Sequence, residues 1–314
     1  MSDISGVIPA RDTAEPRVSV IMPVYNAAPY LAKAVESILA QSFGDFEFLI
    51  HDDGSADGSL KILHDYAAKD SRVIVTTGTN EGIVATLNRL IGTARAPLLA
   101  RMDGDDIALP ERLEIQVARM ETEPEIVALG SQVEIIDEAG RLIRRTHQPT
   151  DHETMIERHV KTVQPQLYHP STLLRSEAFH AVGGYRKDFN KVEDFDLWLR
   201  LEERGRLANC QEVLLKYRVH SSSVSHSNSA MQRGLAWKAA KEAADRRGQE
   251  FSRRYPATTK NFSERPADLY RKWGWWALAE HNLSTARVYA AKAILREPLR
   301  RESWILGACV LRGS

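Results

Sequence analysis

The chain has 314 residues, 43% hydrophobic and 27% charged, a composition ordinary for a globular protein with one large or two smaller cores. No run of about 18 apolar residues occurs, which excludes a membrane-spanning helix, and the polar residues 1–16 offer no secretion-signal core and read as a loose arm. Lys+Arg and Asp+Glu balance at 42 each, but residues 231–314 hold 17 basic against 8 acidic groups, leaving 25 against 34 elsewhere.

Taken in chain order, "RVSVIMPVYN" (17–26) opens with an unbroken β-branched run, the pattern of a strand buried on both faces. After Pro29, "YLAKAVESILAQ" puts Leu31, Val35, Ile38 and Leu39 on one helical face. "FEFLIHDDGSADGS" (46–59) reads as a strand running into an Asp/Gly/Ser turn, with a helix after it. "RVIVT" (72–76), "GIVATLNRLIGTA" and "PLLARM" (97–102) continue as strand, helix and strand. Such alternation with short connections predicts a mainly parallel sheet covered by helices on both faces. Ligands of such sheets bind beyond the carboxyl ends of the strands. Tyr25–Asn26, Asp52–Asp53, Asn80 and Asp103 all fall at such ends.

From about 111 to 225 the pattern is mixed. A helix over Glu111–Glu121 precedes "IVALGSQVEIIDEAGRLIRR", two strands around an acidic Gly turn. "STLLR" reads as a short strand, "EDFDLWLRLEERG" as a helix ending at Gly205, and "EVLLKYRVHSSSVSH" as a strand entering a Ser-rich loop. Beyond residue 230 the chain is helical, with segments near 230–248, 267–281, 284–296 and 300–311. Cys210 and Cys309 stand apart, without metal-ligand spacing, and fit a reducing cytoplasm as core fillers.

Four short stretches carry chemistry. In "ARMDGDDIALPERL", Asp103, Asp105 and Asp106 crowd together where a strand ends. Close carboxylates raise one another's pKa unless a cation sits among them. Hard divalent cations such as Mg2+ and Mn2+ take one or two carboxylates and the phosphate oxygens of a substrate. A solvated turn or an N-cap for the Glu111 helix is the commoner reason for a bare Asp-x-Asp, so this signal is weak alone. The spacing of a calcium loop is absent, as is the Thr of an Asp-x-Asp-x-Thr phosphatase. Gly104 would let the backbone approach a ligand closely. In "HDDGSADGS", Asp52 and Asp53 can accept hydrogen bonds from a base or ribose, while Asp57 is suited to cap the next helix. In "KVEDFDLWLRL", Glu193, Asp194 and Asp196 precede a helix; such an acid can be a general base or simply suit the helix dipole. In "KYRVHSSSVS", His220 can ligate a metal and Arg218 can face phosphate, and "YHPSTLLR" adds His169 and Arg175.

"VSVIMPVYN", "DDGSADGS", "NEGIVATLN", "RMDGDD", "HPSTLLR", "VEDFDLWLRL" and "YRVHSSSVS" together resemble glycosyltransferase family 2, over roughly residues 17–226. The resemblance implies a GT-A fold and inverting transfer from a nucleotide-diphosphate sugar, usually UDP-linked, to an acceptor hydroxyl, in bacterial surface polysaccharide or glycolipid assembly. It implies that Pro23 and Tyr25 line the base pocket, Asp53 accepts from the base, and Asp52 supports that turn. Asp103 would sit near ribose and metal, Asp105 would hold Mn2+ or Mg2+, Asp106 would orient the cluster, and His220 would complete the metal shell. Asn80 and Arg218 are further donor-side candidates. Asp194 matches the family's base and Glu193 its neighbour. The Gln-x-x-Arg-Trp motif of processive members is absent, so single transfers are expected. A nucleotidyltransferase would need a Gly-rich loop with following Arg and Lys after the first strand, which is missing. A degenerate nucleotide-sugar-binding scaffold is the remaining alternative, against which stand intact Asp103, Asp105 and Asp194.

The boundaries expected are an arm at 1–16, a catalytic domain at 17–229 and a helical, basic, Trp-rich region at 230–314. "WALAEHNLSTARVYAAKAILREP" resembles one tetratricopeptide-like repeat, and since an array needs about three, it is expected to pack on the catalytic domain. Basic charge with five tryptophans (Trp237, Trp273, Trp275, Trp276, Trp304) suits peripheral contact with an anionic leaflet, and equally a solvated face over core tryptophans. The expected partners are a nucleotide sugar and a glycan or lipid-linked acceptor, the expected place the cytoplasm or the inner face of the plasma membrane. Neutral charge without basic–aromatic interleaving in the front part excludes nucleic acid.

Overall fold

The structure, a computed structural model, describes residues 15–220, 230–251 and 265–313. Most of the expected N-terminal arm and the Ser-rich loop after His220 lie outside the described residues. The first half alternates strand and helix: β1 (Val18–Val24), α1 (Ala28–Leu39), β2 (Phe46–Asp52), α2 (Ser59–Ala67), β3 (Val73–Thr77), α3 (Ile83–Thr93) and β4 (Leu98–Arg101). Every residue of β1 and β2 is buried, because the sheet separates two cores. Val20, Met22 and Val24 alternate into one core with Leu31, Val35 and Ile38 of α1. Ile21 points the other way, into the core with Leu87, Leu90 and Ile91 of α3.

Next come β5 (Ile107–Ala108), α4 (Arg112–Thr122), β6 (Ile126–Ile136), β7 (Leu142–Arg145), α5 (His152–Thr162), β8 (Leu173–Arg175), α6 (Ser176–Ala181), α7 (Glu193–Leu201) and β9 (Arg206–Arg218). The sheet runs β3-β2-β1-β4-β8-β6-β9-β5, with β7 on β6. Pairing is parallel from β3 to β4 and again between β6 and β9; β8, β7 and β5 pair antiparallel. The parallel half fixes the site. Val24, Asp52 and Thr77 stand level across β1, β2 and β3, and β4 ends at Arg101, level with Ile21, so four loops leave the same edge of the sheet.

α8 (Ala230–Arg246) packs on α7, with Arg246 and Arg247 reaching Glu203 and Glu202. α9 (Pro266–Ala279) and α10 (Leu283–Arg296) form a hairpin that docks on β7, and α11 (Arg301–Arg312) packs on both. Trp273 and Tyr289 from this hairpin enter the main core. The Arg144 guanidinium lies 4.1 Å from the Trp276 ring centroid, and Asn282 donates to the Leu142 carbonyl at 2.8 Å. Among the described residues, no helix is long and apolar enough to cross a membrane.

Candidate active site

The β1–α1 and β2–α2 loops are laced together. The Asn26 amide donates to Ser55 Oγ (2.9 Å), the Ala27 amide to Ser59 Oγ (3.0 Å) and the Ala28 amide to Asp57 Oδ2 (3.0 Å), while Asn26 Oδ1 accepts from the Ala56 amide. Asp57 also accepts from the Ser59 amide at the start of α2, the capping role its position suggested. Gly54, at φ +75°, lies against the β3–α3 loop; a Cβ there would sit 3.0 Å from the Asn80 amide nitrogen. Tyr25 is left 55% exposed at the rim, Pro23 is buried in β1, and Asn80 is exposed.

Asp52 and Asp53 divide differently from expectation. Both Asp53 oxygens accept backbone amides, from Glu81 (2.8 Å) and Gly82 (2.9 Å), and so fix the β3–α3 loop just before α3. Asp52 Oδ2 accepts from the Ser55 amide (3.1 Å), but its buried Oδ1 finds no partner among the described residues. The unpartnered oxygen is thus on Asp52, and it is buried.

The carboxylate oxygens of Asp103, Asp105 and Asp106 come within 4.8 Å of one another. Arg101 forms an ion pair with Asp103. His220 Nε2 lies 3.1 Å from Asp105 Oδ2. Burial pushes the Asp106 carboxyl well above its ordinary value, and the charges of Asp105 and Asp103 push the same way. Burial also raises Asp103, opposed by Arg101. Like charge thus works against ionisation across this short span, the condition a bound cation would relieve. Three hard oxygen donors and an imidazole therefore fit the divalent cation that the sequence resemblance implies. A Cβ at Gly104 would meet Ala27, Leu31 and Val24 within 3.3–3.5 Å, so the acid loop also packs closely on the β1–α1 segment.

Arg218 was expected to face phosphate. Its Nε instead donates to the Asp105 carbonyl (2.7 Å) and its Nη1 to the Asp137 and Glu138 carbonyls (2.9 and 3.2 Å), while its amide donates to Asp106 Oδ1 (2.7 Å). It holds the acid loop in place. Arg175 is far from the site: its guanidinium binds the Ile126 and Met120 carbonyls at the other end of β8.

Glu193 and Asp194 begin α7. Burial, then the neighbouring Asp194 charge, pushes the Glu193 carboxyl up to about 7. Burial raises Asp194 too, against a hydrogen bond from the Phe195 amide (2.7 Å). The Arg101 charge, paired with Asp103, also opposes the upward shift of both α7 acids, so the two groups of acids feel the same buried cation. Asp196 faces elsewhere, between Arg186 and Arg200. His169 Nε2 meets the Tyr185 hydroxyl at 2.7 Å; burial and then Arg101 hold its pKa well below the ordinary value, so it is neutral.

Sequence reasoning passed over Arg101, Tyr30 and Tyr185. Tyr30, on α1, stacks on His220 with centroids 5.7 Å apart and lies 4.7 Å from the Arg218 guanidinium. Arg101 did carry a signal: an arginine closing an apolar strand directly before three acids.

Known proteins resemble this chain in sequence and in fold. The Bacillus subtilis glycosyltransferase EpsE is 36% identical over 217 residues, covering 66% of this chain and 75% of EpsE. The Escherichia coli O-antigen biosynthesis glycosyltransferase WbnJ is 31% identical over 214 residues, 67% of this chain and 82% of WbnJ. Among solved structures, S. aureus TarS 1–349 with UDP-GlcNAc superposes with a TM-score of 0.58 at 16% identity, covering 95% of this chain and 92% of that one. The mannosyltransferase PcManGT of Pyrobaculum calidifontis, with GDP-Man and Mn2+, gives 0.53 at 16% identity over 94% and 80%. The likeness to TarS and PcManGT bears out the GT-A-like fold with C-terminal helices. With the Glycosyl transferase family 2 model matching residues 19–183, more than half of its length, the chain belongs to glycosyltransferase family 2.

Proposed function

We propose that this glycosyltransferase moves a sugar from a nucleotide-diphosphate sugar, UDP-linked, onto an acceptor hydroxyl with inversion, in bacterial surface polysaccharide or glycolipid assembly. The observation that carries this reading is that the Asp103–Asp105–Asp106 loop and the Glu193–Asp194 pair feel the same buried cation, Arg101. TarS with UDP-GlcNAc and PcManGT with GDP-Man support a nucleotide-sugar donor, and WbnJ supports a polysaccharide setting.

Tyr25 offers an exposed ring to the base, with Pro23 behind it, and the buried, unpartnered Asp52 Oδ1 is the acceptor for a base N–H, Asp53 fixing the adjoining loop. Asn80 stands on the neighbouring loop, within reach of the ribose side. Asp103, Asp105 and His220 would hold Mn2+ or Mg2+, which when bound supplies positive charge where the leaving diphosphate gains negative charge. Arg218 and Asp106 keep that loop in register. Asp194 takes the acceptor's proton as its oxygen attacks the anomeric carbon from the face opposite the departing diphosphate; Glu193 tunes Asp194. Inversion follows from a single displacement. Without a Gln-x-x-Arg-Trp motif to retain a growing chain, each encounter ends after one transfer.

The enzyme works on the cytoplasmic side, and α11 brings it to an anionic membrane surface. Trp304, Ile305 and Leu311 form an exposed apolar stripe on that helix, continued by Leu295 and Leu299, with Arg296, Arg301 and Arg312 around it. A lipid-linked acceptor would be met there.

The test is a panel of nucleotide sugars assayed for release of nucleotide diphosphate with and without Mn2+, followed by NMR of the product's anomeric centre. A UDP sugar turned over with inversion is expected. Release from no donor, or retention, would sink the proposal.

A further inference from the structure

A continuous line of buried and partly buried hydrogen bonds runs from the C-terminal helices to the acid loop. The Tyr289 hydroxyl on α10 donates to Asp137 Oδ2 at 2.8 Å. Asp137 sits in the β6–β7 turn, where its Oδ1 accepts the Ala139 and Arg141 amides (both 2.9 Å) and Oδ2 also accepts Arg141 Nε (2.7 Å). That turn presents the Asp137 and Glu138 carbonyls to Arg218 Nη1. Arg218 in turn binds the Asp105 carbonyl and the Asp106 carboxylate. Tyr289, Asp137, Arg218 and Asp106 are all buried.

We propose that Tyr289 is a positioning residue of the active site: acting through Asp137 and Arg218, it sets the alignment of Asp105 and Asp106 from the C-terminal helices. The proposal rests on the reading of the acid loop as the metal and diphosphate site. Its physical basis is geometric. The acid loop is anchored from below by Arg101 at Asp103, and from the side by Arg218 and His220 at the end of β9. The Arg218 anchor is only as well placed as the two carbonyls that hold its guanidinium. Those carbonyls belong to a turn whose carboxylate is shared between Arg141 and Tyr289. Hydrogen bonds in so dry a setting are strongly directional, and loss of one leaves an under-satisfied carboxylate that can be relieved only by movement of the turn. The ring of Tyr289 has a separate role in packing, edge-on to Trp273 with centroids 5.2 Å apart, which Phe would retain.

Tyr289→Phe in the full chain isolates the hydroxyl. The Mn2+ concentration giving half-maximal transfer should rise roughly three- to tenfold, the worth of one buried hydrogen bond, while kcat at saturating Mn2+ stays within about twofold. Amide hydrogen exchange should quicken in residues 103–107 and 216–220 and stay unchanged in 18–24. Asn282→Asp is the control: it disturbs docking of the same helices at the Leu142 carbonyl while keeping the α10 cap, off the line to Asp105, and should leave the Mn2+ requirement alone. Equal shifts in both variants, or a lowered unfolding temperature in Tyr289→Phe with no change in Mn2+ requirement, would overturn the proposal. Should the wild-type enzyme need no metal, the metal reading itself fails, and exchange in residues 103–107 still decides: no quickening in Tyr289→Phe rejects the positioning role.

Discussion

Arg101 lies buried beneath the acid loop in an ion pair with Asp103. The same guanidinium draws down the carboxyls of Glu193 and Asp194 and, with burial, keeps His169 neutral. It is a buried cation of a site crowded with acids, felt both by the loop after β4 and by the acids that open α7. Removing one partner of a buried ion pair typically costs about 3–5 kcal/mol, because the other charge is stranded. Arg101→Met, similar in length but neutral, should therefore be strongly destabilised in urea unfolding at neutral pH without added metal. The loss should shrink as pH falls, since Asp103 and Asp106 already favour protonation, and should be partly reversed by Mn2+. Equal stability of the variant and wild type would deny Arg101 this function.

Asp194→Asn tests the base. The amide keeps the shape and loses the proton acceptor, so kcat should fall by about 10²–10⁴ with little change in affinity for UDP measured by calorimetry. Unaltered turnover would move the base elsewhere, Glu193 being the nearest acid.

The parallel half of the fold was legible because β1, β2 and β4 are buried on both faces and so read as largely apolar runs, and because turn residues mark where the strands stop. The rim aspartates were legible for the same reason: polar groups directly after such runs have nowhere to go but the open edge. Between β7 and α7 only the short strand in "STLLR" was. α5 ends at Val163 in a left-handed conformation (φ 53°), where a β-branched residue gives no stop signal, and α6 starts directly at the end of β8 without a loop. Arg218 and Arg175 look alike in sequence, yet one braces the acid loop and the other a distant helix end. Which carbonyls surround a guanidinium depends on the antiparallel pairing of β8 and on the long β6–β9 pair, which local patterns do not encode. Tyr185 and His169 meet only because α6 folds back, so neither announces the other.

Glu193 gives a pH signature. Its folded pKa of about 7 lies above the ordinary glutamate value, so between roughly pH 4.5 and 7 the folded state holds a proton that the unfolded chain has released. Stability from this group is therefore full at low pH and falls as pH rises through that window, by at most about 3 kcal/mol at the upper end. Glu193→Gln should flatten the decline and gain stability at pH 8 over wild type in urea titrations. In activity the sign is opposite: proton loss from the Glu193–Asp194 pair makes the base, so kcat/KM should climb through neutrality, and Glu193→Gln should shift the midpoint of that climb downward. A stability curve for Glu193→Gln parallel to that of wild type would show that Glu193 is not the group responsible.

The apolar stripe of α11 argues for a surface partner, since Leu299 and Leu311 are 99% and 82% exposed while Leu306 and Val310 on the same segment are buried against α9 and α10. Leaving large side chains in water beside Arg296, Arg301 and Arg312 forgoes burial that would be worth about 1.5–3 kcal/mol each. An anionic bilayer satisfies both features at once: the rings and leucines enter the headgroup boundary while the arginines meet lipid phosphates, at about 1 kcal/mol per basic residue. The enzyme should therefore sediment with vesicles containing phosphatidylglycerol and not with phosphatidylcholine alone, and added salt should weaken binding. Trp304→Glu combined with Leu311→Glu should abolish sedimentation and leave transfer to a soluble acceptor intact, because neither residue touches the acid loop or α7. Sedimentation of this double variant at wild-type levels would assign the face to another role, and concentration-dependent self-association of the wild type lost in the variant would assign it to a second copy of the chain.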